Sequence, residues 1–208
     1  MTTQILLIRH GQTALNAENR IRGQADVPLD TTGRWQARVT GNYVADRWPL
    51  AAVYSSPLLR SCQTAEAIAS AQGLAAQPLD GLLDMSFGEW EGLTITEVKD
   101  RWPALARAWY EEPHTVEFPS GESLSVVRER STAALDAVAV RHEGETIALV
   151  AHAVVNRVLL CAVLGIDIEH FWWLGQGTCA INLIKWDGEQ YRLMMMNDTS
   201  HLWRAEAV

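Results

Sequence analysis

The stretch Gln4-Ile5-Leu6-Leu7-Ile8-Arg9-His10-Gly11 is the clearest indication of the fold, because a short apolar run ends there in three residues suited to binding and chemistry. An unbroken aliphatic run of this length is typical of a buried strand. Open α/β sheets bind their ligands outside the carboxyl ends of the strands. A cation, an imidazole and a glycine at such an end therefore predict a functional site.

A second apolar run has the same form near the other end of the chain. Thr146–Ala151 is followed by His152 and then by the helical pattern Val154–Leu164. Neighbouring parallel strands lie about 5 Å apart, so two imidazoles at adjacent strand ends can contact one small ligand. Together with Arg9, this arrangement favours an anionic ligand.

Length, composition and charge restrict the class of protein. The chain has 208 residues, 48% of them hydrophobic, which is enough for a single domain spanning residues 1–208 with its own core. The net charge is −8, and the sequence has no run rich in Lys and Arg. Nucleic acid is therefore not an expected partner, because binding to a phosphate backbone needs concentrated positive charge.

The sequence also carries expectations about location and cysteine chemistry. The amino terminus lacks the features of a signal peptide, and no apolar run has the length of a membrane span, so we expect a cytoplasmic protein with no membrane partner. Cys62, Cys161 and Cys179 are odd in number and show no Cys-x-x-Cys spacing. This pattern predicts buried reduced thiols rather than disulfides or a zinc site.

Strand-like runs alternate with helical patterns along most of the chain. The predicted strands are Ile5–Ile8, Ala51–Tyr54, Ala75–Leu79, Ile147–Ala151, Ile181–Trp186 and Tyr191–Met196. The predicted helices run from a cap at Thr31 or Thr32 to about Ala45, from Leu58 to about Ala71, and from Ser123 to about Arg141. This alternation predicts an α/β three-layer sandwich, with a mainly parallel central sheet and helices on both faces. Turn residues between the last two strands predict a hairpin that places one antiparallel edge strand in the sheet.

Two segments need separate explanations. Leu193–Met196 is too apolar for an exposed surface, which leaves core packing and a homodimer contact both open. Residues 93–120 lose the alternating pattern, with a helix start at Thr94–Glu97 and an interruption at Trp102-Pro103. They predict a small helical insertion over the active site, and both a lid and a solvated excursion without a role remain open.

Six segments, taken in order, resemble the motifs of the histidine phosphatase superfamily, in its phosphoglycerate mutase-like branch. They are Arg9–Asn16, Asn19–Leu29, Ser55–Ala65, Phe87–Gly92, Gly121–Ser123 and the segment that begins at His152. The resemblance covers nearly the whole chain. It implies chemistry on a small phosphorylated metabolite through a phosphohistidine, and we expect no cofactor and no metal, because arginines can take the place of a metal ion.

The chemistry of these residues agrees with what the resemblance implies. Phosphoryl transfer depends on positioning the group and stabilising its equatorial oxygens. Arg9 and Arg60 each offer a fork of donors, a protonated His152 adds another, and a helix beginning near Leu58 adds its dipole. His10 remains as the nucleophile, which needs one ring nitrogen unprotonated and the other fixed by a hydrogen bond, for which we expect the backbone near Gly11 to serve as acceptor.

The resemblance also assigns an acid–base residue. Hydrolysis needs one group that protonates the leaving oxygen and then deprotonates water. Asp84 aligns with this position, where the family more often has glutamate. Glu89 and Glu91 are the fallback candidates, although exposed or capping roles are more common for such residues.

Four residues are predicted to contact the substrate: Thr13, Asn16, Arg22 and Gly23. Asn16 is expected to brace the pocket, with a helix or turn cap as its alternative. Arg22 stands where related phosphatases often have an uncharged polar residue. It either favours a second anionic group on the substrate, such as a carboxylate, or is a surface arginine.

Three functions remain to be separated. Cofactor-dependent mutases of the resembling family carry a longer, basic insertion, whereas Gly92–Gly121 holds only Lys99, Arg101 and Arg107 as cations. This difference favours hydrolysis of a small phosphomonoester over isomerisation. The third alternative is a non-catalytic phosphate-binding module, which the replacement at Asp84 favours and the intact arginine and histidine set opposes.

Overall fold

A computed structural model describes residues 1–206 and shows a six-stranded sheet between two layers of helices. The strands are β1 (Thr3–Arg9), β2 (Ala52–Ser55), β3 (Ala76–Pro78), β4 (Thr146–Ala151), β5 (Ile181–Trp186) and β6 (Tyr191–Asp198). The helices are α1 (Ala14–Ala17), α2 (Thr31–Ala45), α3 (Leu59–Ser70), α4 (Ile95–Arg101), α5 (Pro103–Glu111), α6 (Leu124–Arg141), α7 (Ala153–Leu164) and α8 (Ser200–Glu206). The predicted α/β three-layer architecture is confirmed.

The strand order is β3-β2-β4-β1-β5-β6. Strands β1 to β4 pair in parallel, β5 is antiparallel to β1, and β6 is antiparallel to β5. The mainly parallel sheet and the hairpin at one edge are therefore confirmed. The strand that runs against the others is β5, the inner member of the hairpin, with β6 outside it.

The alternation of side chains along β1 explains the two helical layers. Ile5 and Leu7 belong to a core cluster on one face of the sheet, whereas Leu6 and Ile8 belong to a second cluster on the other face. Helices α6 and α7 supply apolar residues to the first cluster, and α2 and α3 supply them to the second. Successive residues of a strand point to opposite faces, so an unbroken aliphatic run indicates burial on both.

Helix starts were predicted with one error. Leu58 and Ser123 are the N-caps of α3 and α6, as expected. The N-cap of α2 is Asp30, whose side chain accepts a hydrogen bond from the Gly33 amide, and not Thr31 or Thr32. Asp30, Thr31 and Thr32 are all residues that commonly cap helices, so the sequence alone does not show which of the three is the N-cap.

Two short helices, α4 and α5, occupy the segment that was predicted to be an insertion. Thr94 and Glu97 form a capping box at the start of α4. Pro103 ends α4 and is the first residue of α5, a position where its missing amide proton costs nothing. Helix α8 was not predicted, because it is short and begins immediately after the last strand.

The apolar edge strand divides its residues between core and surface. Leu193 and Met195 pack against the two core clusters, whereas Met194 and Met196 are 54% and 43% exposed. Within residues 1–206, none of the helices combines the length and hydropathy that a membrane span requires. Cys161 and Cys179 are buried free thiols, as expected, but Cys62 is partly exposed.

Candidate active site

The parallel pairing of β1 with β4 brings the two strand-end histidines together. Arg9 is in register with Ala151, so His10 and His152 leave the sheet side by side. Their ring centroids lie 5.2 Å apart with the ring planes inclined at 57°. Both side chains are fully buried, which places them at the floor of a recessed site.

His10 presents one ring nitrogen without a protein partner. Nδ1 lies 2.6 Å from the Gly11 carbonyl oxygen, which can only accept a hydrogen bond, so Nδ1 carries the proton and donates. Burial, followed by the nearby His152 and Arg60, lowers the pKa of His10 well below its usual value of 6.5. The buried Nε2 has no hydrogen-bond partner among the described residues. His10 is therefore a neutral imidazole whose Nε2 lone pair is available.

Arg60 is fully buried and held by three hydrogen bonds. Its Nη1 donates to the Ala25 carbonyl at 2.7 Å, and its Nη2 donates to the Gly23 carbonyl at 2.7 Å and to Asp84 Oδ2 at 3.0 Å. The buried Nε has no partner within the described part of the chain. These contacts fix the guanidinium plane.

Arg9 is tied to a loop that sequence analysis did not single out. Its Nη1 donates to the Gln176 carbonyl at 2.5 Å, and the Gln176 side chain is in turn bonded to Asn182 of β5. Burial, followed by Arg22 and Arg157, lowers the pKa of Arg9 to about 10. Arg9 therefore remains charged at neutral pH. Gln176 lies outside any periodic segment, and no signal in the sequence marks it.

His152 is a neutral imidazole in the free protein. Its Nε2 lies 2.8 Å from Ser56 Oγ, and its Nδ1 lies 3.4 Å from Asp84 Oδ2. Burial, followed by the charges of Arg60 and Arg22, lowers the pKa of His152 well below 6.5. An added dianion would counteract both effects, because a negative charge favours the imidazolium.

Asp84 lies at the same site on a firmly held loop. It pairs with Arg60, and its Oδ1 accepts a hydrogen bond from the Met85 amide at 3.0 Å. Arg130 of α6 donates to the Leu83 carbonyl at 2.6 Å and forms an ion pair with Glu122 at 2.9 Å. Arg130 thus positions the Asp84 loop. The sequence did not predict this role, because Arg130 lies within a helix and has no motif around it.

The fallback acids have other roles. Glu89 is exposed. Glu91 Oε1 accepts hydrogen bonds from the amides of Gln24 at 3.1 Å and Phe87 at 3.0 Å. Gly23 has φ +50°, and a Cβ atom there would lie 2.0 Å from Glu91 Oε1, so this position requires glycine.

Thr13 and Asn16 form a capping box at the start of α1. Asn16 Oδ1 accepts hydrogen bonds from the Thr13 amide at 3.0 Å and from its hydroxyl at 2.9 Å. The capping alternative for Asn16 is thus observed, and its amide Nδ2 is left without a partner among residues 1–206. A donor at this position is available to a ligand.

Two backbone contacts also shape the site. Gly11 is required because a Cβ atom would lie 2.7 Å from the Gly33 carbonyl of α2, so the close neighbour is a helix rather than a ligand. The first amide of α3, that of Leu59, donates to Asp26 Oδ1 at 2.7 Å. Asp26 therefore caps the helix end whose dipole was expected to face the phosphate.

A cavity of about 170 Å³ adjoins these residues and has Asp84 in its wall. Arg22 lines it, and the predicted insertion contributes Ile95, Trp109 and Tyr110. Arg22 is therefore a partly buried residue of the cavity wall. Within residues 1–206, no group of three or more His, Cys, Asp or Glu residues has an arrangement that could hold a metal ion.

Comparison with known proteins agrees with this geometry. The family model of the histidine phosphatase superfamily, branch 1, matches residues 5–199. Phosphoserine phosphatase 1 of Hydrogenobacter thermophilus is 35% identical over 199 residues, which cover 96% of this chain and 94% of that protein. Glucosyl-3-phosphoglycerate phosphatase of Mycolicibacterium vanbaalenii is 33% identical over 179 residues, covering 83% of this chain and 79% of that protein.

A solved structure extends the likeness to three dimensions. Bacillus stearothermophilus YhfR superposes with a TM-score of 0.92 at 30% identity, covering 96% of this chain and 99% of that one. The resemblance inferred from the motifs is confirmed. This chain belongs to branch 1 of the histidine phosphatase superfamily.

Proposed function

We propose that the chain hydrolyses a small phosphomonoester through a phosphohistidine on His10, without a metal ion or cofactor. The observation that carries the proposal is the state of His10. Its neutral ring has Nδ1 bound to the Gly11 carbonyl and a buried, unpartnered Nε2, next to Arg9, Arg60 and His152. A nucleophile oriented by a hydrogen bond at its other nitrogen is the arrangement that covalent catalysis needs.

In the first step, Nε2 of His10 attacks phosphorus, a P–N bond forms and the bond to the leaving oxygen breaks. Asp84 takes up a proton when the dianionic phosphate binds beside it and gives that proton to the leaving oxygen, so the product leaves as an alcohol. Arg9, Arg60, His152 and the Asn16 amide donate to the equatorial oxygens. Charge-assisted hydrogen bonds of this kind contribute about 1.5 to 3 kcal/mol each.

In the second step, water attacks phosphorus and transfers a proton to Asp84. The P–N bond breaks, its electron pair returns to Nε2, and inorganic phosphate is released. His10 is again neutral and Asp84 again protonated, so the cycle closes without a redox step or an external base.

The alternatives have less support. Lys99, Arg101 and Arg107, the cations of the insertion, are exposed and do not line the cavity. The insertion lines the cavity with apolar and aromatic side chains, whereas the insertion of the mutases is basic. For a module that only binds phosphate, the free Nε2 of His10 would have no use.

The names of two relatives indicate the class of substrate. The relatives compared above are named for phosphoserine and glucosyl-3-phosphoglycerate. Each of these names denotes a phosphate ester that also carries a carboxylate. We therefore expect a small phosphorylated metabolite of this kind as the substrate of this chain.

The first prediction concerns the covalent intermediate. Rapid acid-free quenching during turnover of labelled substrate should trap a phosphoryl group that survives alkali and is lost in acid, as expected of phosphohistidine. His10→Ala should lose about 10³-fold or more in kcat, because no other group takes over the attack. His114→Ala removes an exposed histidine instead and should behave as the unchanged protein. Label on serine or aspartate would contradict the mechanism.

The second prediction concerns metal independence. Turnover should survive exhaustive dialysis against a chelator, because Arg9 and Arg60 supply the positive charge that other phosphatases take from metal ions. Activity is measured before and after dialysis, with magnesium and manganese added back in parallel. Loss of activity that either ion restores would refute this part of the proposal.

The third prediction concerns the proton donor. Asp84→Asn should slow an alkyl phosphate about 10²-fold or more in kcat, while an aryl phosphate with an acidic leaving group is much less affected, because such a group departs without protonation. Glu89→Gln is the matched control, since it removes one exposed carboxylate from the same loop region. Equal losses on both substrates would mean that Asp84 acts by holding Arg60 rather than as an acid.

A further inference from the structure

The two arginines beside the histidines are held in different ways. Arg60 pairs with a carboxylate, that of Asp84, at 3.0 Å. Arg9 Nη1 donates instead to the backbone carbonyl of Gln176 at 2.5 Å, and its buried Nε has no hydrogen-bond partner within residues 1–206. A carbonyl oxygen carries no net charge, so it orients the guanidinium without neutralising it. The direction in which Arg9 points therefore depends on how firmly this carbonyl is held.

The side chain of Gln176 anchors its own loop through a pair of amides. Gln176 is 6% exposed, and its partner Asn182 is fully buried. Gln176 Nε2 donates to Asn182 Oδ1 at 3.0 Å and to the Gly175 carbonyl at 2.7 Å, and Asn182 Nδ2 donates back to Gln176 Oε1 at 3.0 Å. Two reciprocal hydrogen bonds between planar amides fix both their separation and their relative orientation.

Asn182 joins this loop to the strand that carries Arg9. It lies opposite Leu7 in the antiparallel pairing of β1 with β5, and its Nδ2 also donates to the Leu7 carbonyl at 2.9 Å. The connection is therefore closed, because it runs from the Arg9 guanidinium through Gln176 and Asn182 to Leu7, two residues before Arg9 in β1. The guanidinium is fixed relative to its own backbone and hence to His10, the next residue.

The peptide group between Gln176 and Gly177 is held at both of its polar atoms. Its carbonyl oxygen accepts from Arg9, and the Gly177 amide donates to Asn197 Oδ1 at 2.7 Å. The Asn197 amide in turn donates to Asn182 Oδ1 at 2.8 Å. Asn197 has φ +53°, a left-handed conformation that asparagine adopts more readily than most residues. This peptide group cannot rotate without breaking a hydrogen bond on each side.

Packing alone does not explain an asparagine at position 182. Its neighbours in β5, Ile181 and Ile184, are fully buried apolar residues, and an aliphatic side chain would be less costly to bury there. The amide is tolerated because all four of its hydrogen-bonding positions are used, two acceptors by Nδ2 and two donors by Oδ1. A fully bonded buried network is rigid. What it adds over an aliphatic residue is a fixed support for Arg9.

We propose that Gln176 and Asn182 are positioning residues for phosphoryl transfer, since their paired amides hold the Gln176 carbonyl where it directs the Arg9 guanidinium at the phosphate. Donors that are oriented before the reaction stabilise the charge of the transferring group without reorganising. Gln176 and Asn182 act in this role through Arg9 and not on the substrate. The proposal rests on the phosphatase function proposed above.

A double-mutant cycle tests whether Gln176 acts through Arg9. Gln176→Met keeps the backbone carbonyl and a side chain of similar length, but removes the amide. It should lower kcat/KM for p-nitrophenyl phosphate about tenfold in the unchanged background. In the Arg9→Met background the same change should cost less than about twofold, because the group through which it acts is absent. Asn182→Leu should give the same pattern. Losses that are equal in both backgrounds would mean that the amides only stabilise the fold.

Gln72→Met is the matched control. Gln72 also bridges two backbone groups, because it accepts from the Leu50 amide at 2.9 Å and donates to the Trp48 carbonyl at 3.1 Å. These contacts lie before β2, at the end of the sheet opposite the site. Gln72→Met should lower the midpoint of thermal unfolding and leave kcat/KM unchanged. A loss of kcat/KM as large as that of Gln176→Met would contradict the proposal.

A spectroscopic measurement on the unchanged protein tests the same point independently of how well Gln176→Met folds. Nitrogen-15 NMR of the Arg9 guanidinium, assigned by its loss in Arg9→Met, should show two separate Nη signals without ligand, because the bond to Gln176 restricts rotation. Gln176→Met should average the two signals. A single averaged signal in the unchanged protein would show that Arg9 is not held before the phosphate binds, and would overturn the proposal.

The outcomes separate this proposal from the one on which it rests. Absence of p-nitrophenyl phosphate turnover by the unchanged protein would overturn the phosphatase function and this inference with it. Turnover that depends on His10, together with equal losses in both backgrounds of the cycle, would overturn the positioning role of Gln176 and Asn182 alone.

Discussion

The parallel pairing of β1 with β4 is the constraint on which the site depends. Its register, from Gln4 opposite Thr146 to Arg9 opposite Ala151, sets the two strand ends level, so His10 and His152 meet with their centroids 5.2 Å apart. Both strands are buried on both faces, which fixes the register through packing against the two helical layers. A slip of one residue would turn His10 to the opposite face of the sheet and separate it from His152.

The surroundings of this pair combine burial with unusually concentrated positive charge. His10 and His152 stay neutral because burial and neighbouring arginines both oppose protonation. The same arginines remain charged and lack most of the acidic partners that buried cations normally have. The proposed substrate resolves this imbalance, since its phosphate completes the coordination of Arg9 and Arg60. Binding energy and nucleophile activation thus come from one electrostatic arrangement.

The sequence predicted the parts of this structure that depend on local pattern. Strands β1 and β4 were recognisable because strands buried on both faces carry unbroken aliphatic runs, and His10 follows the first of them directly. The sequence did not predict Arg130 or Gln176, since each acts through tertiary contacts with a loop distant in sequence. The sequence did not predict that Arg157 lines the cavity either, because the neighbours of Arg157 are set by the packing of α7 against the segment near Phe171.

The most direct test of this account is the protonation state of His10. Nitrogen-15 NMR of the imidazole, assigned by its loss in His10→Asn, should show a neutral ring with the proton on Nδ1 at about pH 6, below the ordinary titration point of histidine. The signal should move only when phosphate or vanadate occupies the site. A His10 imidazolium at that pH, or a neutral ring protonated on Nε2, would contradict the account, because the lone pair that attacks phosphorus would not be available.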